Sequence, residues 1–161
     1  MESIQFKPIG VIHTPFPKPK GTPIQPSRSS HVKGWIDLLP EFISGLSDLD
    51  GFSHITLVYY FHLSKGFDLA VKPFLDTRLR GLFSTRAPRR PNAIGLSVVR
   101  LVGMEDGVIQ IEDVDMVDST PLLDIKPFVP AFEDIDDYQL GWLEGKTQSA
   151  ADTSADERFS E

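Results

Sequence analysis

The run Ile94-Gly95-Leu96-Ser97-Val98-Val99-Arg100-Leu101-Val102 is apolar and rich in β-branched residues, and Glu105-Asp106-Gly107 separates it from a second such run, Val108-Ile109-Gln110-Ile111-Glu112. Asp-Gly between two strand-like runs is a hairpin signal, because both residues tolerate the left-handed backbone of a tight turn. The chain is therefore built at least partly from sequence-adjacent antiparallel strands. Upstream, Ser53 to His62 (Ser-His-Ile-Thr-Leu-Val-Tyr-Tyr-Phe-His) is β-branched and aromatic throughout and gives the strongest strand in the chain. Gln5 to His13 and His31 to Leu39 read as further strands, and Leu122 to Pro127 as a short last one.

Helical pattern is scarce. Pro40 to Leu46 reads as a short helix, with proline in its first turn and Phe42, Ile43 and Leu46 on one face. Tyr138 to Lys146 reads as a second, with Tyr138, Leu140, Trp142 and Leu143 as its apolar residues. Between the first two strands, Thr14 to Ser30 carries Pro15, Pro17, Pro19, Pro23 and Pro26, which deny it both helix and ladder and leave an extended loop. Strand and helix do not alternate, and no Gly-x-Gly-x-x-Gly occurs, so a Rossmann domain is disfavoured. The expected architecture is mainly β: a small antiparallel β-barrel with one or two short helices.

Composition bounds the rest. The chain has 161 residues, 40% of them hydrophobic, enough for one domain with a true core. Its lack of cysteine removes disulfides, thiolate metal sites and a cysteine nucleophile, and fits a cytoplasmic location. Its four histidines have no ligand spacing, so no metal is expected. No apolar run approaches the roughly 20 residues that span a bilayer, and Met1 to Phe6 does not resemble a signal peptide. The net charge of -7 resides entirely in residues 131–161, which leaves residues 1–130 neutral with local basic clusters. An acidic whole chain is thus compatible with a polyanionic partner that meets one face. The expected organisation is a domain over 1–130, an extension over 131–146 that includes the possible short helix, and a disordered acidic tail over 147–161.

The loop that precedes the hairpin concentrates the chemistry. Phe83-Ser84-Thr85-Arg86-Ala87-Pro88-Arg89-Arg90-Pro91-Asn92-Ala93 holds three arginines stiffened by prolines. A charge run usually faces water, but a rigid loop of guanidinium forks suits carboxylate or phosphate recognition. Arg89 and Arg90, with Lys72, Arg78 and Arg80 upstream, are the candidates for RNA phosphates.

Four stretches, in order and spacing, resemble the TsaA/TrmO family over roughly residues 5–130. They are Ile9-Gly10-Val11-Ile12-His13-Thr14-Pro15-Phe16 with Pro23-Ile24-Gln25; Leu49-Asp50-Gly51-Phe52-Ser53-His54-Ile55; the Phe83 to Ser97 run; and Asp115-Met116-Val117-Asp118-Ser119-Thr120-Pro121 with Leu123-Asp124-Ile125-Lys126-Pro127. The resemblance implies a β-barrel methyltransferase, usually a dimer, that uses S-adenosyl-L-methionine and acts on tRNA at the N6 of threonylcarbamoyladenosine beside the anticodon. It implies a cofactor site made of Pro23, Ile24, Gln25, His62, Leu63, Arg86, Leu96, Met116, Val117, Asp118, Ser119 and Thr120. Where the family usually has Asp-Gly-Thr-Pro this chain has Asp118-Ser119-Thr120-Pro121, and serine replaces a residue that would turn left-handed without cost.

Bland readings stand beside these. Pro23-Ile24-Gln25 is also a plain loop crossing, and Asp115, Asp118 and Asp124 are also turn formers. Asp118 and Asp124 are the candidate catalytic carboxylates, although Asp124 and Lys126 also suit a structural ion pair. His54 reads as structural. A methyltransferase acting on another acceptor and a non-catalytic S-adenosylmethionine-binding protein are the alternatives.

Overall fold

The structure is a computed structural model that describes residues 2–25, 31–133, 135–150 and 153–159. Its strands in chain order are β1 (Gly10–His13), β2 (Lys33–Leu38), β3 (His54–Tyr60), β4 (Ala70–Val71), β5 (Arg80–Gly81), β6 (Ile94–Glu105), β7 (Val108–Glu112) and β8 (Thr120–Pro127). Six of them close into an antiparallel barrel in the order β1-β2-β7-β6-β3-β8, and β4 and β5 form a separate two-stranded ribbon. The expected architecture is the one observed.

Period-2 alternation builds the barrel. β2 alternates exposed and buried along Lys33–Leu38, and β3 turns Ile55, Leu57 and Tyr59 inward. Ile12, Ile36, Ile55, Leu57, Val99, Ile109 and Leu122 are wholly buried, so every barrel strand contributes to one core. Burying each such side chain stabilises by about 1.5–3 kcal/mol before entropy is counted. Closure leaves the barrel no free strand edge. The β6–β7 hairpin turns at Asp106 (φ 50°) and Gly107 (φ 84°), the two left-handed residues that the Asp-Gly pair supplies.

Several boundaries differ from the sequence expectation. β1 begins at Gly10 instead of Gln5, since Pro8 has no N–H to give a ladder; Ile4 and Phe6 are exposed. β6 runs on to Glu105, because a register shift between Leu101 and Gly103 lets it continue pairing with β7. β3 ends at Tyr60, so His62 lies in the turn beyond it. Pro40–Leu46 is helical, but as a 3-10 helix.

The helix expected over Tyr138 to Lys146 is not formed. Only a 3-10 turn, Gly141–Leu143, appears there, between Gly141 (φ 57°) and Gly145 (φ 72°), whose left-handed backbones cannot continue a right-handed helix. One α-helical turn occurs earlier, at Pro130–Glu133.

Of the acidic tail expected over 147–161, residues 147–150 and 153–159 are described. Thr147–Ala150 is a 3-10 turn, and Ser154 bridges to Pro23. Phe159 packs on Val71, Leu82 and Ala87, a small second core outside the barrel. Residues 26–30, 151 and 152 of the proline-rich loop and tail lie outside the described residues.

Candidate functional site

Leu82–Ser84 forms a short 3-10 turn that starts the arginine loop. The Thr85 hydroxyl donates to the Leu82 carbonyl at 2.7 Å and accepts from the Ala87 amide at 3.3 Å, while Ala87 is buried. This pins the backbone on both sides of Arg86, whose side chain remains exposed. Arg86 Nη1 donates to Gln25 Oε1 at 3.1 Å, and Nη2 donates to the Leu96 carbonyl at 3.0 Å. One guanidinium thus joins the proline-rich loop, the arginine loop and β6.

These elements surround an open cavity of about 1120 Å³ at the barrel mouth. Every cofactor candidate named above lines it except Asp118 and Ser119. Its volume lies just above the range of ordinary ligand sites, which run to roughly 1,000 Å³. Leu63, Leu96 and Met116 give it apolar surface, and Arg86 and Gln25 give it a donor fork and an amide.

Asp118 has a supporting role. Its Oδ1 accepts from the Thr14 amide at 3.0 Å and lies 3.3 Å from His13 Nδ1, while Nε2 of that ring is 3.3 Å from Asp37 Oδ2. The His13 ring stacks on Trp35 at 4.9 Å. Burial tends to raise the Asp118 pKa, but the Thr14 amide and the Ser119 hydroxyl outweigh it and hold the carboxyl below its ordinary value. Thr14 Oγ1 donates to the Met116 carbonyl at 2.9 Å, and Thr120 Oγ1 to the Val117 carbonyl at 2.6 Å. The Ile-His-Thr-Pro stretch therefore clamps the Met116 to Thr120 loop. Asp124 is outside the cavity wall as well and pairs with Lys126 at 2.8 Å.

Of the three aspartates Asp115, Asp118 and Asp124, the structure places in the cavity wall the one that the candidate site leaves out. Asp115 Oδ1 accepts from Ser97 Oγ at 2.6 Å, and Ser97 Oγ lies 3.0 Å from the buried Tyr59 hydroxyl. Burial pushes the Asp115 carboxyl up to about 6, against the Ser97 hydrogen bond and the Arg86 charge. Burial also raises the Tyr59 phenol. A signal for this network was present in the sequence: Ser97 is a hydroxyl on the inward face of an apolar strand, and a buried hydroxyl needs a partner. His62, which also lines the cavity, has its pKa lowered by desolvation, against the charge of Asp118. His54 bonds Ser53 and meets Phe128 edge-on, as a structural residue would.

The basic candidates divide into two groups. Arg80 is held by Asp76 at 2.6 Å, and Arg90 Nη1 donates to the Thr85 carbonyl at 2.9 Å, so both brace their own loops. Arg89 lies 3.5 Å from Asp68. Lys72 and Arg78 are exposed and make no ion pair among the described residues. Among those residues no helix is long and apolar enough to cross a membrane, and no three His, Asp or Glu side chains could hold a metal ion.

A closed six-stranded barrel with a ligand-sized cavity, walled by loops that bear arginine, carboxylate and amide groups, is the arrangement of a small-molecule-binding β-barrel. The chain matches the tRNA-methyltransferase O N-terminal domain over residues 11–134 and belongs to that family. It is 47% identical over 156 residues to a probable S-adenosyl-L-methionine-binding protein of Pyrococcus abyssi, covering 97% of this chain and 85% of that one. It is 37% identical over 134 residues to the mouse tRNA (adenine(37)-N6)-methyltransferase, covering 79% of this chain and 31% of that protein. A crystal structure of TrmO from Pseudomonas aeruginosa superposes with a TM-score of 0.74 at 36% identity, over 88% of this chain and 63% of that one. The chain thus spans most of the archaeal relative, under a third of the mouse protein and somewhat under two thirds of the bacterial structure.

Proposed function

We propose that the chain is an S-adenosyl-L-methionine-dependent methyltransferase that acts on tRNA at the N6 of threonylcarbamoyladenosine beside the anticodon. The observation that carries this is the convergence of Gln25, Arg86 and Leu96, far apart in sequence, on one cavity of a TrmO-family barrel. The residues present fit the cofactor. The Arg86 fork suits an amino-acid carboxylate. The Leu63, Leu96 and Met116 surfaces suit an apolar ring face, and Gln25 offers donor and acceptor together.

When bound, S-adenosylmethionine supplies both the electrophilic methyl and its leaving group, so no nucleophilic triad is needed. The protein's work is alignment and exclusion of water. The clamped loops on both sides of the cavity provide rigid walls for it. Desolvation lowers the His62 pKa and so favours its neutral form, in which the ring has a free nitrogen for the proton that the acceptor gives up. Lys72 and Arg78 are the free charges for phosphate contact, and a pair of such subunits would double that basic surface.

The test is transfer of labelled methyl from S-adenosylmethionine to bulk tRNA prepared with and without the threonylcarbamoyl group, read by nucleoside mass analysis. Label confined to the modified pool, as methylated threonylcarbamoyladenosine, supports the proposal. The name of the archaeal relative favours a second reading, binding without turnover. Cofactor binding with label in neither pool would favour that reading.

A further inference from the structure

Among the described residues, two carboxylates line the cavity wall, Asp115 and Asp156. Asp156 is neutralised by Arg158, whose Nη2 lies 2.6 Å from its Oδ2. Asp115 has no cation within ion-pair distance among the described residues; Arg86 acts on it only at longer range. Its Oδ1 is fixed by Ser97 at 2.6 Å, and since Ser97 donates there, Tyr59 is the donor to Ser97 at 3.0 Å. Tyr59 is itself seated in the barrel core and edge-on to Phe61 at 5.3 Å. Gly95 faces this ring so closely that an added Cβ would come within 2.3 Å of Tyr59 Cε2. A relay from the core to the cavity thus orients a carboxylate that has no ion-pair partner among the described residues, and its burial is costly unless a cation meets it.

Resting on the cofactor reading above, we infer that Asp115 is the specificity-determining residue that recognises the positive sulfur of S-adenosylmethionine and so discriminates it from the product, S-adenosylhomocysteine. The two molecules differ by one methyl and one charge. In the reaction the sulfur–methyl bond breaks, its electron pair stays on sulfur, and the nitrogen–methyl bond forms, so the sulfur becomes neutral as the product appears. The ammonium and carboxylate of the amino-acid part are common to both. A sulfonium has no N–H and tolerates a poorly hydrated wall, here made by Leu96 and Met116 beside Asp115, whereas an ammonium favours a site with water or several acceptors. Pairing with a fixed carboxylate gives the substrate an electrostatic advantage that disappears after transfer, which helps the product to leave.

The raised Asp115 pKa agrees with a group that is strained in the ligand-free protein. With a folded value of about 6 against 3.8 in the free residue, the folded state holds the extra proton between those values. Asp115 therefore costs the ligand-free protein stability as pH rises from about 4 to 6. A residue present only to support the fold would not be expected to carry that cost.

The test measures binding of S-adenosylmethionine and of S-adenosylhomocysteine by calorimetry at pH 7.5, for wild type and Asp115→Asn, with thermal unfolding of the ligand-free proteins alongside. The expected result is a ten- to hundredfold loss of S-adenosylmethionine affinity, a change under threefold for the homocysteine compound, and unchanged or higher ligand-free stability. Asp115→Ser gives the same readout if the asparagine variant does not fold. Equal losses for both ligands, or no loss for either, overturn the inference while leaving the cofactor reading intact. Wild type that binds neither ligand overturns the cofactor reading, and this inference with it.

Discussion

Arg86 and Gln25, separated by 61 positions in the chain, meet through an Nη1–Oε1 hydrogen bond of 3.1 Å. The other arm of the same guanidinium holds the Leu96 carbonyl at 3.0 Å. Two loops are thereby tied to the longest barrel strand. A planar fork suits this bridge, because its donors sit on separate nitrogens at fixed angles, whereas an ammonium must reach both acceptors from one atom.

Arg86→Lys is expected to keep the charge and lose the bridge. A hydrogen bond to a charged group contributes about 1.5–3 kcal/mol, so cofactor affinity should fall by roughly ten- to hundredfold. Because Arg86 is exposed, the melting temperature should change little. Calorimetric titration beside a thermal melt checks both halves, and an unchanged affinity would remove Arg86 from the binding site.

Ser119 occupies the left-handed region at φ 62°, where the family usually has glycine, and its hydroxyl donates to Asp118 Oδ2 at 2.9 Å. The local hydrogen bond offsets part of a conformational cost of roughly 1–2 kcal/mol. Ser119→Gly relieves the strain but loses that bond and gains unfolded-state freedom, so the net change in stability should stay within about 1 kcal/mol. Ser119→Val, β-branched and without the hydroxyl, should destabilise by about 1–3 kcal/mol. Urea unfolding of the two variants separates the cases.

Asp76 joins Arg80 at 2.6 Å and Lys146 at 3.2 Å, and both cations also face the Trp142 ring at about 5.5 Å. The Arg80 hydrogen bond outweighs desolvation, and with Lys146 and the amides of Thr77 and Arg78 it holds the carboxyl far below its ordinary value. A depressed folded pKa contributes stability above the unfolded value of 3.8, and that contribution is lost as pH falls below it. Asp76→Asn should therefore lower the melting temperature at pH 7. The gap from wild type should narrow steadily as pH falls below about 4. A gap independent of pH would mean that packing, not charge, is what Asp76 supplies.

The barrel was legible because its strands announce themselves by period: Ile55, Leu57 and Tyr59 alternate inward, and Asp106-Gly107 marks the hairpin. The two-residue strands β4 and β5 are too short to show any period. Tyr138 to Lys146 misled because its apolar spacing suits a helix, whereas the backbone at Gly141 and Gly145 is left-handed. At the site, single motifs could be read one at a time, but partnership could not. That Arg90 is spent on the Thr85 carbonyl and Arg80 on Asp76 depends on how the loops fold back. Asp115 looked like one of three equivalent turn aspartates until its hydroxyl partner on β6 was in place.

The tail gives the last prediction. The Gly21 amide donates to the Ala155 carbonyl at 2.8 Å, and the Ala155 amide donates to the Thr22 carbonyl at 2.7 Å. These bonds add a short extended segment to the loop that carries Pro23, Ile24 and Gln25. Arg158 Nη1 donates to the Pro73 carbonyl at 2.7 Å, and its guanidinium lies 4.9 Å from the centre of the Phe74 ring. Phe159 closes the second core, and Ala155, Asp156 and Phe159 all line the cavity. Chain truncated after Ala150 should therefore keep its barrel and bind cofactor more weakly. The two backbone bonds lost contribute about 0.5–1.5 kcal/mol each, so the drop should be roughly five- to 150-fold. Phe159→Ala should give a smaller loss in the same direction. Far-ultraviolet circular dichroism reports the barrel and calorimetry the affinity. Undiminished affinity in the truncated chain would show that the Pro23 to Gln25 loop holds its place without the tail.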